Sequence, residues 1–245
     1  MPDLSLVFMY TGFLLAAYAV VANDSVQTLG TFINSQRTLK WYWLWIPASI
    51  VLVTTLGYGW MTNGGDLAFG RLDRIPQPEV FHWYHAAAPA VLLVLTRLGL
   101  PVSTTFLVLS VFASGIVLEK MLLKSMMGYF VAAVFAYGFW WLFSKLLDEH
   151  KPVENPKSIR NWRIAQWFAT MFLWANWLAH DMANIAVYLP RTLSTEHFLF
   201  AISTLVIFLG IVFYIRGGAI QKIVMSKSGT RFVRSATIID IEQRV

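Results

Sequence analysis

Residues 4–33 read LSLVFMYTGFLLAAYAVVANDSVQTLGTFI, and this stretch decides the fold class. Leu4–Ala22 carries no charge at all. A helix of about 20 apolar residues crosses a hydrocarbon core about 30 Å thick. A helix running on to Ile33 would be about 45 Å long at 1.5 Å per residue, so it must tilt strongly or break. Asn23-Asp24-Ser25 mark where a break is expected, because such side chains compete for backbone hydrogen bonds.

Further runs of spanning length are Trp41–Trp60, Ser125–Leu147, Trp162–Ala179 (continuing more weakly to Leu189) and Phe198–Ile215. Two segments are shorter. Trp83–Leu98 and Phe106–Leu118 reach about 24 and 20 Å as helices. With Pro101 between them they read as a re-entrant hairpin, about residues 83–119. Non-helical backbone at that depth is tolerated only when buried in protein or lining a cavity.

The composition of the 245 residues agrees with this reading. Hydrophobic residues make up 57% and charged residues 13%, against about 25% charged in a soluble domain. That excludes a disordered chain, a coiled coil and almost any soluble enzyme. The absence of cysteine excludes disulfides, thiolate metal sites and cysteine nucleophiles. The net charge is +6, but the basic residues lie between apolar runs, so they point to orientation in a lipid bilayer and not to nucleic acid. Arg37, Lys40, the group Lys145, Lys151, Lys157, Arg160 and Arg163, and the C-terminal basic residues from Arg216 to Arg244 together hold 13 of the 19 Lys and Arg. Placing these segments in the cytoplasm puts the N-terminus and the polar loop Met61–Pro78 outside a plasma or bacterial inner membrane.

Self-similarity is the most informative feature. Asn23-Asp24-Ser25-Val26-Gln27 late in the first run and His180-Asp181-Met182-Ala183-Asn184 late in the fourth are 157 residues apart. Each sets an Asp in an apolar context with a carboxamide three positions on. An odd number of crossings separates them, so the copies are inverted, as in many secondary transporters. A carboxylate within a span costs about 2.5–3.5 kcal/mol on insertion scales, which demands a partner, a cation or a proton. An Asp that only caps a broken helix is the structural alternative. Between the short segments, Pro101-Val102-Ser103-Thr104-Thr105 places three hydroxyls at a helix start, where free N–H groups favour an anion. Plain N-capping is the alternative there.

N-D-S-x-Q-T-x-G after the first run, P-V-S-T-T between two short helices, and a second D-x-x-N half resemble the inorganic phosphate transporter family. These are cation-coupled phosphate symporters, with a repeated G-A-N-D-x-A-N signature and a P-[VM]-S-T-T hairpin in each half. The resemblance runs from the N-terminus to about residue 240. It implies an all-α membrane protein of two inverted-topology repeats with broken helices: 1–147, a cytoplasmic linker 148–161, and 162–245. It implies phosphate held by Asn23, Asp24, Ser25, Gln27, Ser103, Thr104, Thr105 and Asn184. It implies coupling to Na+ or H+, without another cofactor or resident metal, through Asn23, Asp24, His180, Asp181 and Asn184. A transporter and not an enzyme is expected, and a homodimer is compatible with it. Another oxyanion such as sulfate, or a non-transporting membrane subunit, stays open as an alternative.

Two departures from the family pattern stand out. Gln27 and His180 replace Asn; an imidazole beside Asp181 that titrates near neutral pH would favour proton coupling, and a neutral His bonded to backbone is the alternative. Adding the offset to Pro101 gives position 258, beyond Val245, so the second repeat is expected to be incomplete. His82 and His85 share a helix face, but two imidazoles without a third ligand make a weak metal signal; an interfacial pair at the hairpin entrance is the preferred reading.

Overall fold

The computed structural model describes residues 3–36, 38–100, 102–143 and 156–222. Among them the regular structure is helical throughout. Helix α1 (Leu4–Val20) starts at Asp3, whose carboxylate accepts from the Ser5 amide at 3.0 Å. It passes through a π-helical turn, Val21–Ser25, into α2 (Val26–Ser35). The expected break is therefore a bulge. Hydroxyls repair the widened ladder: Ser25 Oγ donates to the Val21 carbonyl, and Thr28 Oγ1 donates to the Asp24 carbonyl at 2.9 Å.

The remaining helices are α3 (Trp41–Thr62), α4 (Trp83–Arg97), α5 (Thr104–Leu109), α6 (Gly115–Phe143), α7 (Pro156–Asp181), α8 (Ala183–Ala186) and α9 (Thr195–Tyr214). Among the described residues, four helical stretches are long and apolar enough to cross a membrane: Leu4–Ser35, Trp41–Thr62, Gly115–Phe139 and Thr195–Tyr214. The expected fourth run is helical too, as α7, but Gln166, Thr170 and Asn176 dilute its apolarity. It packs against α2 and α3 inside the bundle, where Gln166 and Thr170 are fully buried.

The expected run Phe106–Leu118 is not one helix. Helix α5 ends at Leu109, and α6 starts at Gly115, ten residues before the expected Ser125. Glu119, Lys120 and Lys124 are good helix formers and are exposed or half-exposed on α6, so they do not interrupt it. Of the expected linker, residues 156–161 form the first turns of α7. Residues 148–155, Arg37, Pro101 and the C-terminal basic residues beyond Lys222 lie outside the described residues.

Hydrogen bonds between distant segments define the two ends of the bundle. At one end the Leu193 amide donates to Gly65 O at 2.9 Å, Trp60 Nε1 to Leu193 O at 2.9 Å, and the Phe81 amide to Ser5 Oγ at 2.9 Å. At the other, Ser35 Oγ donates to Gln166 Oε1 at 3.0 Å, Arg216 Nη2 to Leu39 O at 2.6 Å, and Gln221 Nε2 to Gly30 O at 2.8 Å. Helix α1 starts at the first end and α7 at the second, so the two run in opposite directions. Lys40 and Arg216 share the second end.

Tryptophan ties the helices together. Trp174 Nε1 donates to Ala48 O at 3.1 Å, and Trp45 Nε1 to Val206 O at 3.1 Å. These indoles clamp backbone inside the bundle, beyond the membrane-anchoring role their abundance suggests. The loop Met61–Pro78 is polar by composition, yet Leu67, Ala68, Leu72 and Ile75 are buried and seat it in the first end. Gly65, with a φ of +95°, lets that loop approach the Leu193 backbone.

Helices α4 and α5 run antiparallel. Phe81, before α4, and Phe112, after α5, bring their rings within 6.3 Å at the first end. At the other end of the pair, Val102 O accepts from Asn23 Nδ2 at 3.3 Å. His85 is spent structurally: its Nδ1 accepts from the His82 amide at 2.9 Å, capping α4, and its ring packs 4.9 Å from Phe112. Among the described residues no group of three or more His, Cys, Asp or Glu could hold a metal ion.

Candidate functional site

Asp24 is positioned by the π turn. The extra residue in that turn rotates Asn23 and Asp24 inward, where they are 0% and 6% exposed. Such turns recur at functional sites because they re-aim side chains without ending the helix. Asp181 reaches the same place from the opposite direction, as the last residue of α7. The two carboxyl groups lie within hydrogen-bonding reach of each other. Asp24 is buried and Asp181 half-buried; two ionised carboxylates this close repel one another, and a shared proton or a bound cation removes the repulsion.

The tip of the α4–α5 pair completes the cluster. Thr104 Oγ1 donates to Asp24 Oδ2 at 2.9 Å, and Asn23 Nδ2 donates to Asp24 Oδ1 at 2.6 Å. Asn184, on the short helix α8, donates through Nδ2 to Thr104 Oγ1 at 3.1 Å and to Thr105 Oγ1 at 3.2 Å. Residues from three parts of the chain thus form one continuous network. Three of its oxygens are buried with no hydrogen-bond donor among the described residues: Asn23 Oδ1, Asp181 Oδ2 and Asn184 Oδ1. Buried acceptors left in this way carry a desolvation cost that a proton or a hard cation relieves. A cavity of about 20 Å³ borders Asp24, Ser25 and Asp181, and Trp174, Trp177 and aliphatic side chains make up the rest of its lining. That is room for one water-sized occupant.

The structure gathers Asn23, Asp24, Thr104, Thr105, Asp181 and Asn184. Three other candidates stand differently. Ser25 lines the cavity, but its hydroxyl hydrogen is committed to the Val21 carbonyl. Gln27 is half-buried on α2 and Ser103 is exposed, capping α5 by accepting from the Phe106 amide at 3.5 Å. Thr104 has one O–H hydrogen and spends it on Asp24, so it is not free to donate to an anion at the same time. His180 is exposed, and its Nε2 accepts from Arg71 Nη2.

Arg71 is the residue that sequence reasoning missed. It comes from the Met61–Pro78 loop and approaches Asp181 closely enough to feel its charge. A single basic residue in a loop carries no local pattern that separates it from its neighbour Arg74. Gln166 and Thr170 were missed for a related reason. Both are polar residues in a run read only for its apolarity, yet both are fully buried, and Gln166 Oε1 accepts from Ser35 Oγ at the end of α2.

No family model, no curated protein and no solved structure matches this chain.

Proposed function

We propose that this protein is a secondary transporter that carries inorganic phosphate across a membrane together with Na+ or H+. The single observation that carries the reading is the meeting of Asp24 and Asp181, from two antiparallel helices, in one buried network with unpartnered acceptor oxygens. A purely structural Asp would have its oxygens satisfied by backbone. Here the two carboxyls face each other and a cavity of cation size. Transport couples naturally to such a site: the coupling ion neutralises the carboxylates, and the neutralised site then accepts an anion at lower cost.

The roles divide by chemistry. Asn23, Asp24, Asp181 and Asn184 present oxygens to the cation or proton. Ser103 and Thr105, whose hydroxyl hydrogens are not committed to a described partner, present donors to phosphate oxygens, with Gln27 two residues beyond the π turn. Thr104 links the two halves of the site, because its bond to Asp24 changes when the carboxylate binds its ion. Helices α4 and α5 then act as a re-entrant hairpin whose tip enters at the level of the π turn. The two antiparallel units, α1–α3 and α7–α9, rock about that tip in alternating access. The basic second end of the bundle faces the cytoplasm and the N-terminus faces outside.

Labelled phosphate and labelled sulfate, offered to proteoliposomes under separately imposed sodium and pH gradients, test the reading. Gradient-driven phosphate uptake is expected, lost in Asp24→Asn while membrane insertion is kept. Uptake of sulfate alone, or undiminished uptake in Asp24→Asn, would refute the assignment.

A further inference from the structure

We infer that Arg71 is the anion-recognising residue of this transporter, holding the oxyanion through its guanidinium at the outer face of the Asp181 side of the site. The inference rests on the proposed function and names a side chain that neither the motif nor the hairpin includes. Three observations converge on it.

The first is the loop that presents the side chain. Leu67, Ala68, Leu72 and Ile75 anchor it in the bundle end. Asp66 accepts from the Ala68 amide at 2.7 Å and the Gly70 amide at 2.6 Å, which fixes the turn just before Arg71. Arg191, from the loop between α8 and α9, donates to Ile75 O at 3.0 Å and ties the other side of the loop down. Arg71 is thus held in place before any ligand arrives, which lowers the ordering cost of binding.

The second is the partner. Arg71 is half-buried, and its guanidinium donates to a neutral acceptor, His180 Nε2, in place of an ion pair. Its other N–H groups make no hydrogen bond to a described residue. Burial pulls its pKa down from the usual guanidinium range, and the charge of Asp181 raises it. A planar fork of five donors with one neutral acceptor is poised for a tetrahedral oxyanion, which it can grip with two parallel bonds. His180 then acts as the resting partner that Arg71 leaves when the anion enters.

The third is charge. Among the described residues, the network around Asp24 and Asp181 contains carboxylates, amides and hydroxyls but no cationic side chain. A multiply charged oxyanion beside two carboxylates needs fixed positive charge as well as the coupling ion. Arg71 supplies it from the loop, and Lys124 on α6 adds to the same field at His180. Lysine offers a point charge, whereas arginine offers geometry, so the two are not interchangeable at this position.

The test uses the full chain in proteoliposomes and detergent, with ³²P-labelled phosphate as the probe and Arg71→Ala and Arg71→Lys as variants. Phosphate affinity is expected to fall about tenfold or more in Arg71→Ala, with Arg71→Lys recovering only part of it. The thermal unfolding midpoint of both variants is expected to stay near that of the wild type. As a readout without substitution, phosphate is expected to protect Arg71 from modification by phenylglyoxal, followed by mass spectrometry of the loop peptide. Unchanged phosphate affinity in Arg71→Ala, or no protection of Arg71 in a wild type that binds phosphate, overturns this inference alone. A wild type that neither binds nor takes up phosphate overturns the proposed function and this inference with it.

Discussion

Removing the Tyr188 hydroxyl isolates one bond that holds the site together. Tyr188 is fully buried and its OH donates to the His85 carbonyl at 2.8 Å. That carbonyl sits four residues before Pro89, inside α4. Proline has no N–H, so the helix itself cannot satisfy His85 O, and Tyr188 does so from the segment after α8. Tyr188→Phe leaves a buried carbonyl without a donor, a cost of about 1–3 kcal/mol. For a chain of this size each 1 kcal/mol moves the unfolding midpoint by about 2–4 °C. The assay is thermal or denaturant unfolding in mixed micelles, followed by the fluorescence of the 11 tryptophans. Pro89→Ala provides the internal control, because the new N–H at position 89 can close the ordinary helical bond to His85 O. In that background Tyr188→Phe is expected to cost much less, giving a coupling energy of at least about 1 kcal/mol. Equal penalties in the two backgrounds, or no penalty in either, would refute the account of how α4 is tied to the second half of the chain.

Three further outcomes follow from the same packing. Gly12 lies against the Tyr188 ring so closely that a Cβ would overlap it; Gly12→Ala is expected to destabilise by about 1–3 kcal/mol, read by the same unfolding curves. Gly59 stands in the same relation to the Phe69 ring, which is only half-buried and can swing away, so Gly59→Ala is expected to spare global stability and to speed trypsin cleavage at Arg71 or Arg74. Ser103→Ala combined with Thr105→Ala is expected to weaken phosphate binding by about tenfold while the cation dependence of uptake holds, because neither hydroxyl touches Asp24 and Asn184, which loses Thr105, keeps its bond to Thr104. An equal loss in both would place these hydroxyls on the cation side.

Much of the architecture is legible in the order of residues. An uncharged run such as Leu4–Ala22 cannot be covered by water without large cost, and an Asp set in an apolar run, as at positions 24 and 181, cannot stand alone, so spans and candidate charges follow from local chemistry. The grouping of Lys and Arg between spans is local too. What the order of residues does not contain is which oxygen meets which donor. Asp24 and Asp181 meet only because two antiparallel helices cross at a π turn and a helix end. Thr104 turns toward Asp24 because the α5 tip reaches that turn, which takes its hydroxyl away from the anion role that a hairpin motif suggests. His180 pairs with Arg71, and not with the carboxylates, because the loop Met61–Pro78 folds inward on four apolar side chains.

Local periodicity and burial cost therefore determined the helices and the kind of site. Tertiary packing alone decided the partners within it, since a hydrogen bond depends on tenths of an ångström and on direction, and contacts over 80 to 157 residues of separation are set by how whole helices stack.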